Sequence, residues 1–112
     1  MLKVEGNNIY LTRGDTGVIK LDVEDAQGSA YDFSGDEVKF SVKKNLSDRS
    51  PVIEKTFDEN GQITFAVEDT ANLEFGNYFY DVQLTHTDGD DVSVDTIIVP
   101  STFTVGAEVG WN

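Results

Sequence analysis

A chain of 112 residues is the size of one ordinary domain, able to bury roughly 65% of its unfolded surface around a single core. Its 8 Lys and Arg stand against 21 Asp and Glu, a formal charge of −13; a surface of that sign repels a phosphate backbone and an anionic bilayer, so neither nucleic acid nor a membrane is expected as a partner. The absence of cysteine excludes a disulfide framework and thiolate metal sites, leaving burial to hold the core together.

The segment Met1 to Gly6 lacks the apolar stretch and small-residue cleavage site of a secretory signal, so the chain is expected to stay in the cytoplasm or to reach the outside by assembly or lysis. No apolar run approaches the roughly 20 residues that span a bilayer. Residues 1–6 and 107–112 read as flexible or interface-forming tails of one domain covering 1–112. From Gly17 the pattern alternates, with Ile19, Leu21 and Val23 on one face and Lys20, Asp22 and Glu24 on the other, the period of a half-buried strand. Ala26-Gln27-Gly28 reads as a turn.

Val38, Phe40 and Val42 repeat the alternation against Lys39, Ser41 and Lys43, and the polar 45–51 segment closes that strand. Pro51 cannot sit inside a central ladder. Ile53 and Phe57 flank Lys55 on a shorter edge strand, and Asp58-Glu59-Asn60-Gly61 is expected to turn it as a hairpin into Ile63, Phe65 and Val67. Only 68–73 has helical character, barely a turn of it.

Tyr78, Tyr80, Val82 and Leu84 form the inner face of the next strand, Thr87-Asp88-Gly89-Asp90 turns it back, and β-branched residues fill 92–99. Pro100 then removes a ladder donor, so Ser101 to Val105 is expected to resume as a kinked or displaced edge segment. No internal repeat is visible. Strand-like segments about a dozen residues apart, with short turns and no long helix, make the chain an all-β protein. Within "EDTANLEFGNYFYDVQL", Leu73 precedes Gly76 by three residues and Tyr78 opens a long strand. That is the pattern of a tyrosine corner, whose hydroxyl reaches back to the preceding connection, and it selects an immunoglobulin-like antiparallel β-sandwich of about seven to nine short strands.

Candidate sites are few. Arg13-Gly14-Asp15 is the tripeptide that many integrin ligands display, yet here it immediately precedes strand-like residues, where Gly14 supplies positive φ and Asp15 satisfies local backbone; the turn reading is preferred to adhesion. Asp88, Asp90 and Asp91 are weak candidates for calcium, since no twelve-residue loop ending in a glutamate accompanies them and an Asp-Gly turn explains them equally well. Otherwise no metal or cofactor is expected. His86 is the only histidine and no Gly-flanked serine elbow is present, so no catalytic residue is assigned and the protein is read as a non-enzyme. Phe79 falls out of phase with Tyr78 and Tyr80 and is expected on the outer surface. Trp111 either folds back over its own core or anchors on a neighbour.

The run "NNIYLTRGDTGVIKLDVEDAQGSAYDFSGDEVKFSVKK", with the later "GNYFYDVQLTHTDGDDVSVDTIIVPSTFTV", resembles the N-terminal immunoglobulin-like domain of phage baseplate upper proteins and related tail components from prophages of Gram-positive bacteria. The resemblance runs from Asn7 to Val105. It rests on the threonine-Arg-Gly-Asp opening, the Tyr-Asp-Val-Gln segment at Tyr80 to Gln83, and the proline-interrupted last strand at Pro100. It implies a virion part of the phage tail or baseplate that packs with copies of itself or with other tail proteins. Baseplate upper proteins continue into helical and distal regions, so a chain of this extent is expected as a tail accessory. The other reading from the residues is a bacterial surface module that binds carbohydrate or protein.

Overall fold

The computed structural model describes residues 1–22, 27–29 and 35–107. Strands within them are β1 (Leu2–Glu5), β2 (Asn8–Thr12), β3 (Gly17–Lys20), β4 (Asp36–Lys43), β5 (Ile53–Thr56), β6 (Gln62–Phe65), β7 (Gly76–Asp88) and β8 (Asp91–Gly106), with one helical turn, α1 (Val67–Thr70), between β6 and β7. Alternation dictates the layers. Val38, Phe40 and Val42 of β4, Tyr78, Tyr80, Val82 and Leu84 of β7, and Phe103 and Val105 of β8 are all buried on one face, and the residues between them face out.

Six strands form a sheet in the order β1-β2-β8-β7-β4-β5, and β3 and β6 form a second sheet of two. Ile63 and Phe65 of β6, with half-buried Ile19 of β3, close over the inner face of the large sheet. Connections between the layers are the Greek-key crossings of an immunoglobulin-like sandwich: β2 leaves the large sheet for β3, β5 leaves it for β6, and α1 returns the chain to β7.

Several expectations are corrected here. The sandwich is not wholly antiparallel, because β2 lies parallel to β8, pairing Ile9 with Phe103 and Leu11 with Val105. Its last strands are not short: β7 has 13 residues and β8 has 16. Residues 53–57 and 63–67 do not form a hairpin, since β5 pairs with β4 and β6 pairs with β3. The apolar residues of the two strands cover opposite sides of one core, which two neighbours in one sheet cannot do. Asp58 still organises the connection, its side chain accepting from the backbone N–H of Asn60 and of Gln62, each at 2.9 Å, while Gly61 takes φ +75°.

Pro100 does not displace the final strand to an edge. β8 runs through it, and Phe103 to Val105 lie in the interior between β2 and β7, while Ser101 and Thr102 pair with β7 alone among the described residues. The register absorbs the proline by bulging: Tyr80 faces Ser101 but Val82 faces Ile98, so β8 advances one residue more than β7 across this stretch. Residues 2–5 of the expected N-terminal tail form β1, the edge strand beside β2. β3 ends at Lys20, with Leu21 adding one bond to Gly61 at 2.7 Å. Val23, Ala26 and residues 108–112 lie outside the described residues.

Two tyrosines fasten the sandwich. The hydroxyl of Tyr78 donates to the carbonyl of Glu74, four residues upstream, at 2.9 Å, holding the connection that carries Leu73, Glu74 and Gly76 onto the strand it feeds. Gly76 has φ +135°, in the range that favours glycine. Tyr80, also buried, sends its hydroxyl to the carbonyl of Asn7 in the β1–β2 turn. Burial raises the pKa of both phenols, keeping them neutral donors. Tyr78→Phe and Tyr80→Phe should each lower stability by about 0.5–1.5 kcal/mol, the net value of one hydrogen bond. Thermal melts of the two variants check this; a melt matching the parent for either one removes that hydroxyl from the account.

Candidate functional site

The Arg-Gly-Asp segment occupies the link between β2 and β3, where the chain leaves one sheet for the other. Each residue is engaged there. The N–H of Arg13 donates to the carbonyl of Gly106 at 2.9 Å, and its guanidinium lies 4.1 Å from the centroid of the Phe75 ring, close enough for a cation–π attraction. Gly14 has φ +81° and donates its N–H to the hydroxyl oxygen of fully buried Thr70 at 2.8 Å. The N–H of Asp15 closes a turn onto the carbonyl of Thr12 at 3.0 Å, and its carboxylate contacts the Met1 ammonium group.

Thr70 ends α1 and Phe75 precedes β7, so the two inter-sheet crossings at this end of the molecule hold one another. Asp69 ties the same turn down further. Its carboxylate accepts from the N–H of Ala66 at 2.7 Å and pairs with Lys55 of β5 at 2.8 Å, with both side chains mostly shielded from water. The tripeptide is a corner of the fold. Sequence reasoning missed Thr70 and Phe75, and the only signal for them was an apolar residue out of phase just before Gly76.

On the outer face of the large sheet, Phe79 sits opposite Lys43, Asp81 opposite Ser41, and Gln83 opposite Lys39. Phe79 is 37% exposed, as its phase implies. The β4–β5 connection rises over these residues with Leu46, Arg49 and Pro51, and together with Glu54 and Pro100 they shape a groove of about 450 Å³. Lys39 is engaged by Glu37 at 3.3 Å and Glu54 at 3.7 Å, contacts that raise its pKa through the bond to Glu37 and the charge of Glu54. Lys43 and Arg49 form no ion pair among the described residues. With Lys39 held by two carboxylates, the two cations Lys43 and Arg49 stand against Asp81 among the groove's remaining charged residues.

The opposite sign collects at the end of the β7–β8 hairpin. Asp88 and Asp91 pair across a two-residue loop whose first residue, Gly89, has φ +60°, the arrangement of a type II′ turn. Asp88, Asp90 and Asp91 are all exposed there. Among the described residues no three His, Asp or Glu side chains gather to hold a metal ion, and no helix is long and apolar enough to cross a membrane. Trp111 lies outside the described residues.

His86 lies near the end of β7. Its Nδ1 pairs with the carboxylate of Asp36, directly across the β4–β7 ladder. That hydrogen bond, then the charge of Asp36, raises the imidazole pKa above its ordinary value.

Compared with protein-family models and with curated proteins, the chain matches none.

Two predictions follow from these contacts. Gly14→Val should cost about 1–3 kcal/mol, the usual expense of forcing a branched side chain into positive φ, whereas Asp15→Glu should melt close to the parent; equal stability for Gly14→Val and the parent in a denaturant titration would contradict the corner assignment. Because the folded pKa of His86 is raised, its contribution is fully present below the unfolded value near 6.5 and fades as pH rises through the folded value. The stability difference between the parent and His86→Gln, measured from pH 5 to pH 8, should therefore shrink as pH rises. A difference independent of pH would mean that the Asp36 pair does not favour the charged ring.

Proposed function

We propose that this protein is a non-enzymatic assembly domain, a tail or baseplate part of a phage or prophage virion that works by protein–protein contact. The observation that carries the assembly reading is the β7–β8 arm. Residues 86–96 are exposed throughout, the hairpin end at 87–92 extends past β4 and pairs only with itself among the described residues, and the molecule is drawn out to 51 × 29 × 21 Å. A radius of gyration of 15.0 Å exceeds the roughly 13 Å expected of a compact domain this size.

An arm of this kind adds little to its own domain's core. It exposes Val92 at 63%, the adjoining stretch of β8 exposes Val94 at 56%, and the outer edge of β8 over residues 91–102 has no neighbouring strand among the described residues. Unpaired strand edges and exposed valines are what another chain covers. The virion assignment rests on the resemblance of residues 7–105 to baseplate domains, and fold alone does not fix function.

The second reading, a surface module for carbohydrate or protein, is favoured by one feature: Phe79 lies in a groove with polar walls, a common make-up of ligand sites. Glycan or peptide binding abolished by Phe79→Ala would support that reading over assembly.

Val92→Ser/Val94→Ser should reduce association, read as weight-average mass in light scattering, with a thermal melt within about 0.5 kcal/mol of the parent, as befits exposed substitutions. Unchanged association would remove the arm from the interface. Labelling of particle tails by an antibody against the chain, or tail genes flanking its reading frame, tests the virion assignment separately.

A further inference from the structure

We propose that the acidic end of the β7–β8 arm docks into the Phe79 groove of a second copy of this chain, so that copies join head to tail. This deepens the assembly reading and rests on it, by naming the partner and both contact surfaces.

Charge complementarity singles out the occupant. The chain carries −13 overall, which sets most of one copy's surface against most of another's. The Lys43 and Arg49 side of the groove is an exception: Lys39 is held by Glu37 and Glu54, which leaves Lys43 and Arg49 against Asp81 along the walls, and those two form no ion pair among the described residues. Asp88, Asp90 and Asp91 at the arm's end present carboxylates on a narrow two-stranded projection, with exposed Val92 beside them. Carboxylates suit the lysine and arginine heads, and Val92 suits the apolar ground offered by Phe79 and Leu46, whose side chains are 37% and 60% exposed.

The arm cannot satisfy its own groove. At about 3.4 Å per residue, Asp88 stands roughly 17 Å along β7 beyond Gln83, the groove's last residue on that strand, and an antiparallel ribbon does not fold back on itself over that distance. The contact is consequently intermolecular and uses two different surfaces. Such heterologous contacts build a ring where the rotation closes and a filament where it does not.

The test is a charge exchange on the full chain, followed by sedimentation velocity at one fixed ionic strength. Lys43→Glu/Arg49→Glu makes both surfaces acidic, and Asp88→Lys/Asp91→Lys makes both basic, so each variant alone should associate at least about tenfold more weakly than the parent. Mixed in equal amounts, they should recover association, because each groove then meets an arm of opposite sign. Circular dichroism establishes that both fold, and the single Arg49→Ala, expected to weaken association part-way, serves if either double variant does not. Association of either double variant alone at the parental strength would overturn the docking while leaving assembly through the arm's valines intact. A parent that stays monomeric at high protein concentration, or a mixture that fails to recover, would overturn it as well.

Discussion

Everything in this molecule depends on the two sheets meeting through one cluster of aromatic rings. Phe40, at the middle of β4, is fully buried and lies with its ring centroid 5.0 Å from Tyr80, 5.7 Å from Phe65, 6.1 Å from Phe103 and 6.4 Å from Phe57. Most of these contacts are steeply inclined or edge-on, the geometries that aromatic pairs favour. They draw on both sheets, on β4, β7 and β8 from the large one and on β6 from the small one. A two-stranded sheet is not stable by itself in water, so β3 and β6 exist because their inner residues are covered by this cluster.

That packing obliges the chain to change layers, and each change leaves backbone groups that need partners. The Arg-Gly-Asp link and α1 meet this need together at one end of the sandwich. Gly14 donates to Thr70, Arg13 covers Phe75, and Asp69 caps the turn while holding Lys55. Tyr78 reaches back to the same connection from β7. The residues of a familiar adhesion tripeptide are thus used up, one by one, in fastening a corner.

Function is arranged on what the core leaves over. The outward phase of β4 and β7 supplies the groove floor, the β4–β5 connection supplies its rim, and the length of the β7–β8 hairpin separates the acidic end from the basic groove. In a protein with strong net charge of one sign, a local surplus of the other marks where a like-charged copy can approach. The assembly role proposed here follows from that separation together with the open edge of β8.

The all-β class, the inward and outward phases of β4 and β7, the turn at Gly89, the corner tyrosine and the outward Phe79 could all be read from the sequence, because each depends on alternation or on a local backbone demand. Placement of β5 and β6 could not. Their residues fit a hairpin as well as they fit facing strands, and only burial against Phe40 separates the two arrangements. The same holds for Pro100, where local chemistry suggested an edge and pairing with β2 kept the segment after it in the interior. β1 and β2, too polar on their outer faces to stand out, became strands when the parallel pairing with β8 and the hydroxyl of Tyr80 secured them. The groove was beyond any local reading, because Lys43, Arg49 and Phe79 are separated along the chain and meet only across a ladder and a loop. Alternation along each segment settles which side of a strand is apolar; which apolar sides face each other is settled only in the folded molecule, since burial energy depends on the partner surface and not on the segment that carries it.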